Sequence, residues 1–230
     1  IQQKFYTGLK NIDISKSHII QHGVEKIKIT KLKKKEKNIL FVGKLNNAKG
    51  YDIFCEVALM FKKYNPSWNF IAIGDETRKN IYPKKNSVKE LGYLSNDKVL
   101  EYYQKSEIAI GNSVWEEPLG RIAIEASSRK CLPIISNKAG LSESKKIAHV
   151  LKRNTPLEIF NYLKKITSNN KFRRDKQNKF YKNNTFDIKI LSKKIDIIRK
   201  NLFLTSSIKV QSKNKKILHI ANFNENSDGR

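Results

Sequence analysis

Two glutamates, Glu117 and Glu125, bracket the run Pro118-Leu119-Gly120-Arg121 and the residues that follow it. Carboxylates accept hydrogen bonds from hydroxyls, and the chain between these two suits the entry to a helix. Pro118 fits the first helical position, where its fixed φ matches and its missing N–H was unpaired anyway. Residues 120–128, rich in Ala, Ile and Arg, continue as helix. Such a terminus offers unbonded N–H groups to an anion, phosphate above all. Eight helical residues rise about 12 Å, which puts one carboxylate at the mouth of a crevice and the other deeper along its wall. A ligand with hydroxyls at both ends and a diphosphate between them fits this arrangement, and a nucleotide sugar is such a ligand. The plainer reading makes Glu117 a helix cap and Glu125 a solvated helix residue.

Short apolar runs lead into loops that could carry this chemistry. Residues 107–111 form a buried strand that delivers the chain to Asn112. Residues 38–43 form another, ending at Gly43 and opening into Lys44-Leu45-Asn46-Asn47-Ala48-Lys49-Gly50. A helix over 51–64 follows, with Ile53, Phe54, Val57, Ala58 and Phe61 at helical spacing as its core face. The loop is no Walker A motif, because Gly-Lys-Ser/Thr is absent, and Gly-x-Gly-x-x-Gly occurs nowhere in the chain. Lys44 and Lys49 are its cations, placed opposite the helix opening at Gly120. Further strands are expected at 68–73, 88–91, 131–136 and 148–151. Ser95 caps a helix over 96–105. Strand–helix alternation of this kind predicts an α/β, doubly wound parallel sheet of Rossmann-like form, with ligands at the carboxyl ends of its strands. From 155 to 203 the pattern turns helical and lysine-rich, with Ile159, Tyr162, Leu163 and Ile166 on one side, and reads as closing helices.

Trp115-Glu116-Glu117-Pro118-Leu119-Gly120-Arg121, with Glu-x7-Glu spacing to Glu125, resembles the donor site of retaining GT-B glycosyltransferases, family 4 in particular. Residues 134–143, Ile-Ile-Ser-Asn-Lys-Ala-Gly-Leu-Ser-Glu, continue the likeness, which extends over roughly 17–203. Residues 41–50 are similar to the family's Phe-Val-Gly-Arg-Leu-x-x-x-Lys-Gly signature, with Lys44 in place of its arginine and Lys49 matching. The resemblance implies the C-terminal, donor-binding half of a GT-B fold and transfer of a glycosyl group from a nucleoside diphosphate sugar with retention. It implies that Lys44, Lys49 and the N–H groups of Leu119, Gly120 and Arg121 hold the diphosphate. Glu125 would bond the ribose and Glu117 the transferred sugar, with Gly43 beside them and Gly92, Tyr93 and Leu94 at the base. Tyr93 stands open between a base contact and a core position. No metal is expected, in keeping with the absence of an Asp-x-Asp pair, and no cofactor beyond the donor substrate. Departures from the family pattern lie at Glu76 and Thr77, at Lys130 in place of glycine, and at Ala139-Gly140 in place of Gly-Gly.

With 47 Lys and Arg against 21 Asp and Glu among 230 residues, the formal charge is +26. Nucleic acid or anionic lipid would answer to such a charge. The basic residues are spread along the chain without an aromatic stripe, so most read as solvated faces and no nucleic acid is expected as partner. The expected partners are a nucleotide sugar, a glycan or lipid-linked acceptor held by a domain outside this chain, and peripheral contact with an anionic membrane. A cytoplasmic location, at the inner face of the membrane, and a role in cell envelope polysaccharide biosynthesis go with that reading. The rival readings are a basic nucleic-acid or anionic-surface binding module without catalysis, and a GT-B relative with epimerase or phosphorylase chemistry. Cys55 and Cys131 read as small buried hydrophobes of a reducing compartment. His18 and His22 alternate on an expected strand over 18–25, yet nothing adjacent completes a metal site. The lysines of 26–37 read as a solvated loop. Residues 1–14 are expected to be the remnant of a preceding domain, 15–203 the donor domain, 204–214 a linker and 215–230 the truncated start of a further domain.

Overall fold

The computed structural model describes residues 18, 20–31, 33–76 and 87–207. Two compact units, Ile1–Lys193 and Lys194–Arg230, divide the chain, and the sheet and its site belong to the first. Six strands make one sheet: β1 Glu36–Val42, β2 Asn69–Ile73, β3 Val88–Glu90, β4 Ser106–Gly111, β5 Leu132–Ile135 and β6 His149–Val150. Their order is β3-β2-β1-β4-β5-β6, and every neighbouring pair is parallel. This is the doubly wound α/β form expected. The helices are α1 Tyr51–Tyr64, α2 Asn96–Lys105, α3 Arg121–Ser128, the single turn α4 Ala139–Ser142, α5 Pro156–Ser168, α6 Asn170–Lys182 and α7 Ile188–Ser207.

Parallel strands are buried on both faces and so read as nearly unbroken apolar runs. In β1, Ile39 and Phe41 join one core while Leu40 joins the other. Ile108 and Ile110 of β4 likewise face one way and Ala109 the other. The first core is built by α1, through Phe54, Val57, Ala58 and Phe61, and by Ile159, Leu163 and Ile166 of α5. Val99 and Tyr103 of α2, with Ala126 and Cys131, cover the second face. Cys55 and Cys131 are free and buried, and burial pushes the Cys131 thiol up to about 12.

Several expectations need correction. Residues 18–25 form no strand among those described: Val24 makes only an isolated bridge to Asp187. Ser95 precedes α2 without a side-chain capping bond; its carbonyl accepts from Val99 N–H at 3.0 Å instead. The lysines of 26–37 are not uniformly solvated. Lys35 Nζ donates to the carbonyls of Tyr103 (3.1 Å) and Arg129 (2.9 Å), so it caps the ends of α2 and α3 together. Its partial burial lowers its pKa. Lys26 Nζ donates to Asn184 Oδ1 at 2.5 Å and lies over the Tyr181 ring. α7 runs on to Ser207, so the first residues of the expected 204–214 linker are helical. The rest of that linker, with 1–14 and 215–230, lies outside the described residues.

Candidate functional site

Strand order reverses between β1 and β4. The loops that leave their carboxyl ends therefore turn toward opposite faces of the sheet and open a crevice between them, where ligands of doubly wound folds bind. The β1 loop begins at Gly43, whose N–H bonds Ile73 O at 3.0 Å. It tightens into a 3-10 turn, Asn47–Lys49, which Asn46 caps by accepting from Lys49 N–H at 3.1 Å. Gly50 then starts α1 with φ 76°, a conformation that favours glycine. A Cβ there would also stand 2.2 Å from Asn112 O.

That close approach docks one loop on the other. Val114 and Trp115 N–H both donate to Ala48 O at 3.0 Å, as does Ser113 Oγ. Asn112, wholly buried, donates from Nδ2 to Gly50 O at 2.6 Å. From beyond β5, Ser136 Oγ holds Ser113 O at 2.7 Å; from beyond β6, Asn154 Nδ2 holds Asn112 O at 2.7 Å. The sequence reading gave Asn112, Ser113, Ser136 and Asn154 no role. Their signal was present in outline: Asn112 and Ser136 are polar residues directly after an apolar strand, and Ser113 comes one residue later.

Two ion pairs are formed by the β1 loop, the loop after β4 and α3. Lys49 Nζ lies 2.5 Å from Glu117 Oε1, with 35% and 13% of the side chains exposed. Arg121 Nη2 lies 2.8 Å from Glu125 Oε1, one turn along α3. Glu125 is 7% exposed, so the solvated reading of it fails. Across the way, the buried hydroxyl of Tyr103 on α2 is pushed well above its ordinary pKa by burial first and by the charge of Glu125 next. At the rim, Lys138 pairs with Glu116 at 3.3 Å.

Pro118 is not the first residue of the helix. α3 begins at Arg121, with Gly120 as its N-cap at φ 72° and ψ 79°. The left-handed turn at Gly120 ends the loop there, and Gly140 N–H fixes the loop by donating to Glu117 O at 2.7 Å. Glu117 therefore stands four residues ahead of the helix, and the expected rise of eight helical residues between the carboxylates does not apply. Glu117 is held by its loop and by Lys49, and it makes no side-chain cap of α3.

Of the remaining expected residues, Leu119 is partly buried against the core cluster that includes Ile124 and Ile135 among its members. Gly92 O accepts from Gly74 N–H at 2.9 Å, joining the ends of β2 and β3. Leu94 packs on the second core, while Tyr93 is 77% exposed, which removes the core alternative for it. Lys44 is exposed at the end of β1 and pairs with no carboxylate among the described residues. Among the described residues, no group of three or more His, Cys, Asp and Glu side chains is placed to hold a metal ion. None of the described helices is long and apolar enough to cross a membrane.

A family model described as "Glycosyl transferases group 1" matches residues 24–185. An uncharacterized 42.6 kDa protein of the cps region of Klebsiella pneumoniae is 29% identical over 116 residues, 49% of this chain and 29% of that protein. A second protein of that region, of 41.2 kDa, is 29% identical over 122 residues, 52% of this chain and 33% of its own length. Among solved structures, Anabaena HepE in complex with UDP superposes with a TM-score of 0.62 at 16% identity, over 72% of this chain and 49% of that one. The C-terminal domain of the group 1 glycosyl transferase LpcC of Francisella tularensis superposes with a TM-score of 0.56 at 20% identity, over 64% of this chain and 84% of that domain. The chain thus spans a third or less of the curated relatives it matches and about half of HepE.

Proposed function

Because the chain belongs to the glycosyl transferases group 1 family, we propose that its crevice binds a nucleoside diphosphate sugar and that the whole protein transfers the glycosyl group to an acceptor hydroxyl. The observation that carries this reading is the Lys49–Glu117 pair at the strand-order reversal, beside the amino terminus of α3. A cation and a helix terminus together answer the charge of a diphosphate leaving group, and they are set before the substrate arrives. Lys49 and the N–H groups of Leu119, Gly120 and Arg121 receive the diphosphate, and Lys44 reaches it from the rim of β1. Glu125, steadied by Arg121, accepts the ribose hydroxyls, and Glu117 accepts hydroxyls of the transferred sugar. Gly43 lets the ligand approach the end of β1, while Gly92, Tyr93 and Leu94 border the base. In the reaction the bond from the anomeric carbon to the diphosphate oxygen breaks and a bond to the acceptor oxygen forms. The configuration is retained, as in family 4, and the diphosphate charge is met without a metal or cofactor.

The UDP held by HepE supports a nucleotide donor. Likeness to two proteins of a cps region supports a polysaccharide or lipid-linked glycan as acceptor. The acceptor site belongs to a further domain; the +26 charge suits work beside an anionic membrane on its cytoplasmic side, and the spread of the basic residues without an aromatic stripe speaks against nucleic acid. Thermal unfolding of the chain with UDP-, GDP- and ADP-sugars tests the reading: one donor series raises the midpoint in a concentration-dependent way. Equal midpoints with all of them would contradict it.

A further inference from the structure

We propose that Glu117 makes the site discriminate between a sugar-bearing donor and a bare diphosphate, by competing with the diphosphate for Lys49. The inference rests on the donor-site reading above. Lys49 is paired, at 2.5 Å, with a carboxylate that has 13% of its side chain exposed. The pair is set by the backbone on both sides. Asn46 holds Lys49 N–H, the Ala48 carbonyl binds Val114, Trp115 and Ser113, and Gly140 N–H holds Glu117 O. The backbone beneath the pair is thus fixed, and a Glu117 side chain only 13% exposed meets little water where it stands.

A diphosphate that takes Lys49 leaves this carboxylate poorly hydrated and close to a second anion, which opposes binding. A sugar on the diphosphate changes the balance, because its hydroxyls donate to the carboxylate that Lys49 has released. The same group that accepts the sugar thus penalises the nucleotide without it. After glycosyl transfer the hydroxyls depart, Glu117 recaptures Lys49, and the nucleoside diphosphate is displaced. No bond is made or broken in this step; one ion pair exchanges for another.

Titration calorimetry of the chain and of Glu117→Gln with inorganic pyrophosphate, with the nucleoside diphosphate and with the matching nucleotide sugar tests this. Glutamine keeps the size of the side chain and removes its charge. The expected result is at least fivefold tighter binding of pyrophosphate and nucleoside diphosphate to Glu117→Gln, with no gain for the nucleotide sugar. Adding Lys49→Met should abolish the gain, an outcome that general loosening of the loop would not produce. Equal or weaker pyrophosphate binding by Glu117→Gln, with nucleotide sugar still bound by the unaltered chain, overturns the competition alone. No binding of any of the three ligands to either form overturns the competition and the donor-site reading together.

Discussion

Glu125 is a buried carboxylate paired with the exposed guanidinium of Arg121 on its own helix. Removing its charge strips the site of the group assigned to the ribose and ends its pairing with Arg121. Glu125→Ala should therefore weaken nucleotide-sugar binding at least tenfold, about 1.4 kcal/mol. Calorimetry that returns an unchanged dissociation constant would take Glu125 out of the site. His149 supplies a second residue-scale expectation. Its ring stacks on Tyr162 with centroids 3.6 Å apart and planes 7° off parallel. Burial first, with Lys176 and Lys165 adding to it against Glu158, depresses its pKa to about 4. The unfolded chain takes up a proton near pH 6.5 that the folded chain refuses, so stability is full above 6.5 and falls as pH drops toward 4. Discounted for partial exposure, the loss between pH 7 and pH 4.5 is about 1–2 kcal/mol. Denaturant unfolding at both values should show it, and His149→Phe, which keeps the stack, should show that much less. An equal loss in the variant would contradict this.

At the scale of elements, α3 ends in a left-handed turn that glycine usually supplies. Cys131 N–H bonds Ala126 O at 2.9 Å and Lys130 N–H bonds Ser127 O at 3.0 Å, the two bonds of a Schellman motif. The residue in the left-handed position is Lys130, at φ 58°. Lys130→Gly should relieve the Cβ clash and stabilise the fold by about 1 kcal/mol, read as a rise in unfolding midpoint; a fall would contradict it. The same elements show what a sequence discloses. Helix span 51–64 was legible because an apolar face recurs at helical spacing, whereas 96–105 was read from Ser95 as a cap, a bond its side chain does not make, and is held instead by buried Val99 and Tyr103. The start of α3 was misjudged because Pro118 suits a helix entry and a loop equally well. The bond from Gly140 N–H that settles the choice joins residues far apart in the chain. Lys35 could not be told from its neighbours in a lysine run, since its partners are carbonyls on two distant helices. Arg173 was equally hidden. It is buried over Trp68 and bonded to Glu107 at 3.2 Å, and nothing local separates it from the solvated basic residues of α6.

Across the whole molecule, the charge of +26 invites a reading as a general anion binder. The fold argues for something narrower, because the two docked loops and both paired carboxylates gather where the strand order reverses. Which element faces the crevice was legible from strand–helix alternation; the braces beneath it, Asn112 and Asn154, became visible only with the sheet closed. The chain spans 29% and 49% of its relatives in Klebsiella and Anabaena, and the acceptor site is assigned to a further domain. The isolated chain is therefore expected to bind donor and to show little or no transfer, and robust turnover by it would contradict the assignment. The most direct measurement of where the donor binds is a map of backbone amide shifts as a nucleotide sugar is titrated into the chain. The account predicts that the largest changes cluster at Gly43, Lys49, Glu117, Gly120, Arg121 and Glu125. Changes confined to the lysines of 26–37, with those six amides still, would contradict it.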